Sequence, residues 1–231
     1  MRIQKLLAER GVASRRTAEK MVEAGRVTVN NKPATIGQAV TQDDEIHVDG
    51  KQLDAPQQLV YLMLHKPRGV ITTLSDDRER KTIADLIEDV AERVVPAGRL
   101  DYDSEGMLLL SNDGDFVHRI THPSYKVSKI YRVRVKGDIS KGSTRLQKPF
   151  TLDGKKLLAD DVDVIECEDD KGTILITIHT GVNRQIRRMC EMAGLRVQRL
   201  RRVAVGNVSL GDLKPGAWRH LTPQEIDTLQ G

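Results

Sequence analysis

Apolar residues near the start of the chain repeat first with a helical period and then with a strand period. Ile3, Leu6 and Leu7 recur at helical spacing, which predicts a short opening helix. Ser14 precedes RRTAEKMVEAG, in which Ala18, Met21 and Val22 form one face and Gly25 marks a C-terminal stop. Serine suits the N-cap because its hydroxyl accepts from an orphan backbone N–H of the first turn. Arg15, Arg16 and Lys20 fall outside the apolar stripe and face outward together. RVTVNNK then reads as a strand and turn, and DEIHVDGK as a strand ending in an Asp-Gly turn. Residues 1–50 are thus expected to form a compact module of two helices and a small sheet with one basic face. KQLDAPQQ, residues 51–58, is polar, holds a proline and lacks periodicity, so it reads as a linker.

Order resumes with an apolar strand over Leu59 to Leu64. TIADLIEDV carries Ile83, Leu86, Ile87 and Val90 at helical spacing and predicts a helix. MLLLSNDGD predicts a buried strand ending in an Asn-Asp-Gly turn, and Phe116 and Ile120 a short helix before His122-Pro123. IYRVRVKG alternates Tyr131, Val133 and Val135 with basic neighbours, as a half-buried strand does. GTILITIH is a further strand, and RQIRRMCEMAG places Ile186, Met189, Cys190 and Ala193 on one helical face before Gly194. Strands outnumber helices without regular alternation. The expected class is therefore α+β, with the small module followed by a domain at 59–231 built on a mixed, largely antiparallel sheet.

Composition narrows the function classes. The 231 residues are 39% hydrophobic, 30% charged and only 3% aromatic, so Val, Leu and Ile must supply the core. No apolar run approaches the ~18 residues of a membrane span. The opening MRIQKLLAER lacks the apolar core of a secretory signal, and two sparse cysteines, Cys167 and Cys190, have no metal-type spacing. These features point to a cytoplasmic protein with reduced thiols and no zinc site. The net charge of +4 is modest but segregated. Residues 1–32 hold eight cations against three acids, and residues 184–202 hold seven arginines against Glu191 alone. Two such clusters are the footprint of a polyanion partner.

Chemistry concentrates in GRLDYDSEG, residues 98–106, where Asp101, Asp103 and Glu105 lie between two glycines. DYDSEG opens like a calcium loop, yet the twelfth position, which should carry a bidentate glutamate, is Asn112, and an apolar strand replaces the middle of the loop. A plain polar turn remains compatible with the pattern. GRLDYDSEGMLLLSNDGD, however, resembles the catalytic signature of the RsuA/RluB-type rRNA pseudouridine synthases. LHKPRG, HPSYKVSKIYRVRVKG, GVNRQIRRMCEMAG and RLRRVAVGNV match further family segments in order. The N-terminal module resembles the RNA-binding domain named after ribosomal small-subunit protein four.

The resemblance implies a catalytic role for Asp101, a base-stacking role for Tyr131 and a charge pairing of Arg187 with Asp101. Arg99 and Leu200 would line the site. Arg2, Ser14, Arg15, Arg16, Lys20, Arg26, Arg184 and Arg188 would contact RNA. It implies no cofactor, because the isomerisation is redox-neutral. It also implies action on ribosomal RNA or a ribosome assembly intermediate, with large-subunit RNA favoured, and a monomer is expected. One departure is Val182, which stands where the family carries an arginine. Asp103, Glu105 and Asp113 read as turn residues. Two rival functions are a non-catalytic RNA-binding or assembly factor on the same fold, and a metal-dependent nuclease using Asp101, Asp103 and Glu105.

Overall fold

The computed structural model describes residues 1–41, 43–55 and 57–231. It divides into two compact units: Met1–Val60 with Val90–Val94 and Asn112–Gly114, and the remainder of the chain.

In the first unit, helix α1 (Ile3–Glu9) and helix α2 (Arg15–Glu23) precede strands β1 (Val27–Val29), β2 (Lys32–Pro33), β3 (Ile46–Val48) and β4 (Lys51–Gln52). Ser14 caps α2 as expected, its hydroxyl accepting from the Thr17 N–H at 3.1 Å. Ile3, Leu7, Ala18, Met21 and Val22 close on Val27, Val29 and Ile46 from the sheet. Arg15, Arg16 and Lys20 are exposed. The sheet runs β2-β1-β3-β4. The expected linker at 51–58 therefore opens inside this sheet, because the Asp49-Gly50 turn folds Lys51 back against Val48. Pro56 of that segment lies outside the described residues.

The second unit is organised by one large sheet. Its strands are β5 (Tyr61–Lys66), β6 (Val95–Pro96), β7 (Glu105–Ser111), β8 (Lys129–Lys136), β11 (Asp161–Glu168), β12 (Lys171–Ile178), β13 (Arg196–Val205), β14 (Val208–Ser209) and β15 (Trp218–His220). The order is β11-β12-β8-β13-β7-β5-β15, with β14 on β13 and β6 on β7. A separate hairpin joins β9 (Phe150–Leu152) to β10 (Lys155–Leu157). Among the described strand pairings, β13 with β7 is parallel and the others are antiparallel, so the fold is α+β with a mixed, largely antiparallel sheet.

The helices divide between the faces of this sheet. Helix α3 (Gly114–Thr121) and helix α6 (Pro223–Gln230) contribute Phe116, Ile120 and Leu229 to a core with Met63, Met107, Leu109 and Val205. Helix α4 (Ile139–Leu146) and helix α5 (Gln185–Met192) pack against β11, β12 and β13. There the alternating Tyr131, Val133 and Val135 of β8 are buried beside Ile174 and Ile176 of β12.

Two local readings differ from the sequence pattern. TIADLIEDV forms only one 3-10 turn, Ala84–Leu86. The Asp85 carboxylate accepts from the Thr82 N–H at 2.6 Å, and the backbone leaves helical geometry at Ile87. That single turn already buries Ile83 and Ile87, so continuing the helix would gain little. Asn112-Asp113-Gly114 leads into α3 rather than closing a hairpin.

The parallel pairing fixes one glycine. Gly106 has φ +110°, and a Cβ there would sit 2.2 Å from the Arg202 carbonyl oxygen. Gly106→Ala should lower the unfolding free energy by about 3 kcal/mol or more, since both φ and space are wrong for a side chain. Urea unfolding followed by circular dichroism measures this, and a loss within error would show that β13 can move away.

Candidate active site

Two segments build one wall of the site. Turn 101–104 is closed by the Ser104 N–H donating to the Asp101 carbonyl at 3.1 Å. The segment LHKPRG and the residues after it brace that turn from behind. Gly69 N–H donates to the Tyr102 carbonyl at 2.8 Å, and the Thr72 hydroxyl donates to the Leu100 carbonyl at 2.7 Å. Lys66 lies fully buried, its ammonium donating to the Ser104 and Pro67 carbonyls, each at 2.9 Å. Burial pushes the Lys66 amine down to about 8, opposed by the charges of Asp101, Asp103 and Glu105. Lys66 was not singled out from sequence. Its signal was a lysine closing an otherwise apolar strand, a place where a charge is costly unless it has partners.

The opposite wall comes from α5 and the loop before it. Gln185 is buried, and its side-chain oxygen accepts from the Thr180 hydroxyl at 2.9 Å and the Val182 N–H at 3.1 Å. Those bonds hold loop 180–183 in place. Arg184 takes a left-handed conformation, φ 49°, at the N-cap of α5. Its guanidinium bonds the Asp103 carboxylate at 3.2 and 3.3 Å and stands 3.9 Å from Asp101.

Between the walls is a pocket of about 290 Å³ that brings together Arg99, Asp101, Tyr131, Arg184 and Leu200. Tyr131 is buried, whereas the Asp101 side chain keeps a third of its surface open. Ile178, Val182 and Ile186 add apolar lining. Val182 therefore presents an aliphatic group to the pocket where the family pattern has a cation.

Arg187 differs from expectation. It is largely buried and bonds the Asp103 carbonyl at 2.9 Å and the Ser104 hydroxyl at 3.3 Å, with the Asp103 carboxylate also at 3.3 Å. The ion pair expected between Arg187 and Asp101 is thus made to Asp103, two residues on, because turn 101–104 points the Asp103 backbone and carboxylate at α5. The guanidinium within 4 Å of Asp101 belongs to Arg184. Burial raises the Asp103 carboxyl, but the Arg184 hydrogen bonds and the charges of Arg187 and Arg184 outweigh it and leave Asp103 below its ordinary range.

The carboxylates of GRLDYDSEG consequently go separate ways. Asp103 is engaged by two arginines, and Glu105 is buried at the start of β7, bonded by Arg199 at 2.7 Å. Only Asp101 both lines the pocket and keeps an open face. Asp101, Asp103 and Glu105 do not converge as a metal-dependent nuclease would require, and among the described residues no group of three or more metal-ligating side chains gathers.

The remaining expected contact residues are dispersed. Arg188 leaves the pocket and bonds Asp153 at 2.7 and 2.8 Å. Arg26 forms an exposed pair with Asp49 at 2.6 Å, and the Arg2 guanidinium donates to the Gly37 carbonyl.

The chain is similar to known proteins over nearly its whole length. Residues 60–192 match the family described as RNA pseudouridylate synthase, and residues 1–46 match the S4 domain. The chain belongs to the RNA pseudouridylate synthase family. With its S4 domain it falls in the RsuA/RluB-type group. It is 41% identical over 233 residues to "Ribosomal large subunit pseudouridine synthase B" of Bacillus subtilis (strain 168), a match covering 99% of this chain and 95% of the relative. It is 36% identical over 239 residues to "Dual-specificity RNA pseudouridine synthase RluF" of Escherichia coli (strain K12), covering 99% and 78%. A solved pseudouridylate synthase crystal structure aligns with TM-score 0.69 and 31% identity over 99% of both chains. In this synthase the turn carrying Asp101 therefore lies in the segment matched to the family.

The buried lysine makes a pH-dependent prediction. Below pH 8 Lys66 is charged in both folded and unfolded chains, and the fold bears the cost of burying it. Between pH 8 and its ordinary 10.5 the folded chain is neutral there while the unfolded chain still binds the proton, so stability rises with pH across that window. Lys66→Met lacks this gain. Urea midpoints at pH 7 and pH 9.5 should show the native chain gaining on the variant, and a constant gap would contradict the assignment.

Proposed function

We propose that this protein isomerises a specific uridine of large-subunit ribosomal RNA to pseudouridine in the cytoplasm, as a monomer, with Asp101 as its catalytic residue. One observation carries the reading. A single open-faced carboxylate lines a pocket floored by a buried aromatic ring, in a chain of this family that matches a large-subunit enzyme over nearly its full length.

The chemistry fits these groups. The N1–C1′ glycosidic bond breaks, the uracil turns, a C5–C1′ bond forms, the C5 hydrogen leaves to solvent and N1 takes up a proton. Nothing is oxidised or reduced, and no cofactor is required. The Asp101 carboxylate either attacks C1′ or removes a proton from the sugar, and both routes begin at this one group. Arg184 sets a guanidinium counter-charge 3.9 Å from that carboxylate, on the wall opposite the turn. Arg187 acts at one remove. By tying the Asp103 carbonyl and Ser104 hydroxyl to α5, it holds the turn that presents Asp101.

A base stacked inside folded RNA cannot reach such a pocket, so the target nucleotide must be flipped out. Tyr131 then supplies the face that receives it. Leu200, Ile178 and Val182 exclude water around the ring. Arg15, Arg16 and Lys20 of the N-terminal unit supply phosphate contacts, which add affinity without reading sequence. Such an enzyme can act on an assembly intermediate as well as on free RNA, since the target is chosen by RNA shape.

Tritium release from rRNA labelled at C5 of uridine tests the chemistry. The native protein should release label, and Asp101→Asn should abolish release while binding the RNA with unchanged affinity. Tight binding with no release from any large-subunit RNA or assembly intermediate would replace the enzyme by a binding factor on this fold. Separately, converting Arg15, Arg16 and Lys20 to Gln should reduce the slope of log affinity against log salt by about 2, at ~0.7 per lost single-strand phosphate contact. An unchanged slope would remove the N-terminal helix from the RNA contact.

A further inference from the structure

The central sheet has a second basic surface that the pocket does not use. Along β8, the residues alternating with Tyr131, Val133 and Val135 are Arg132, Arg134 and Lys136, and all three are exposed. Their antiparallel partners on β13 are also cations: Arg132 faces Arg201, Arg134 faces Arg199 and Lys136 faces Arg196. Three successive like-charge cross-strand pairs are unfavourable for the sheet itself. Arg132, Arg134, Arg199 and Arg201 converge on one depression of about 230 Å³. It lies on the side of β8 away from Tyr131 and the packing of α4 and α5.

The sheet does not merely tolerate these charges; it anchors two of them. Glu105, buried at the start of β7, accepts from the Arg199 Nε at 2.7 Å and stands 3.8 Å from the Arg201 Nε. His65 Nδ1 lies 2.6 Å from the Leu213 carbonyl, which can only accept, so that nitrogen carries the proton. The other ring nitrogen is then free to accept from the Arg201 guanidinium at 3.2 Å. Burial, the largest influence, holds His65 below its ordinary titration range. Neutral His65 fixes Arg201 without adding charge, and Glu105 balances only part of the pair it holds.

The outer members are less engaged. Arg132 shares an exposed pair with Glu166 at 3.1 Å, and Lys136 one with Asp170 at 3.0 Å, both of little net strength in water. Arg134 and Arg196 have no ion pair among the described residues. On the far side of β12, strand β11 carries Asp161, Asp163, Glu166 and Glu168. That acidic border confines an anion to the track above β8 and β13.

We propose that this two-column track of Arg132, Arg134, Lys136, Arg196, Arg199 and Arg201 is a second RNA-binding surface, taking the phosphate backbone of a substrate segment distant from the flipped nucleotide. Alternate residues on a strand recur about 6.8 Å apart, which suits a run of successive phosphates better than one compact anion. The track has no aromatic side chain on which a base could stack, so it grips backbone and not sequence. The proposal rests on the enzyme acting on RNA. It deepens that reading by requiring the substrate to extend beyond the target loop.

The test is an arginine footprint on the full-length protein, using a dicarbonyl reagent and peptide mass spectrometry, with and without a large-subunit rRNA transcript. Arg134 and Arg196 should be modified severalfold more slowly when the transcript is bound. Equal rates with the protein saturated would overturn the track, whatever any variant does. A triple variant, Arg132→Gln with Arg134→Gln and Arg196→Gln, should also lose about 2 from the salt slope of binding, whereas the corresponding Lys variant keeps it. An unchanged slope in a variant with native circular dichroism would overturn the proposal too. Tritium release by the native protein separates the two readings. Release without protection sinks the track alone, and protection without release sinks the isomerase while leaving an RNA-binding surface.

Discussion

The close approach of Gly106 to the backbone of Arg202 is the constraint on which the site depends. It makes the parallel pairing of β7 and β13 possible in a sheet that is otherwise antiparallel. The chain must connect these two strands through β8, β11, β12 and α5, and the excursion returns α5 to the side of the 101–104 turn. Asp101 enters the site just before β7, Tyr131 comes from β8, and Arg184 and Arg187 come from the start of α5. A side chain at 106 would separate β7 from β13 and pull the carboxylate away from its guanidinium neighbour and from the aromatic ring.

Charge is then distributed so that, of the three carboxylates in GRLDYDSEG, one remains available. Asp103 is consumed by Arg184 and Arg187, and Glu105 by Arg199. The turn is held from below by buried Lys66, whose ammonium bonds carbonyls and not carboxylates. Such a network holds the turn that carries Asp101 in place through rigid neighbours. Glu105 also acts on the other side of the sheet, where it anchors the arginine track.

The division of labour between sites follows the same physics. The proposed RNA contacts, exposed cations on α2 and on the β8–β13 face, would meet phosphates at many positions and so yield affinity without choosing a nucleotide. Choice has to come from the pocket and from the shape of the RNA that can deliver a base to it. A binding factor on this fold would need the cations but would have no use for one open carboxylate above a buried tyrosine.

Much of this was legible in the sequence because it is local. The Ser14 cap, the alternation of Tyr131, Val133 and Val135, the α5 stripe and the stop at Gly194 each depend on neighbours a few residues away. The family resemblance of GRLDYDSEG singled out Asp101, which the structure places in the lining of the pocket. Other features depend on partners far along the chain, and pattern could not reach them. RVQRLRRVAV read as a run of charge but is a central strand, because β8 and β7 flank it on both sides. ISKGSTRL showed little apolar pattern, yet it folds as α4, where Gly142 lets Leu195 come so close that a Cβ there would lie 2.5 Å from it. Periodicity overstated the helix at 82–90, since one turn was enough to bury both isoleucines. The sequence by itself determined which residue types were available for chemistry and which local elements they sat on. Only the tertiary structure decided that Arg187 answers to Asp103 and not Asp101, and that Lys66 lies buried beneath the turn. It also split the C-terminal arginines between a pocket, an exposed pair and a second face, because charge partners are set by strand order and register, which no local pattern encodes.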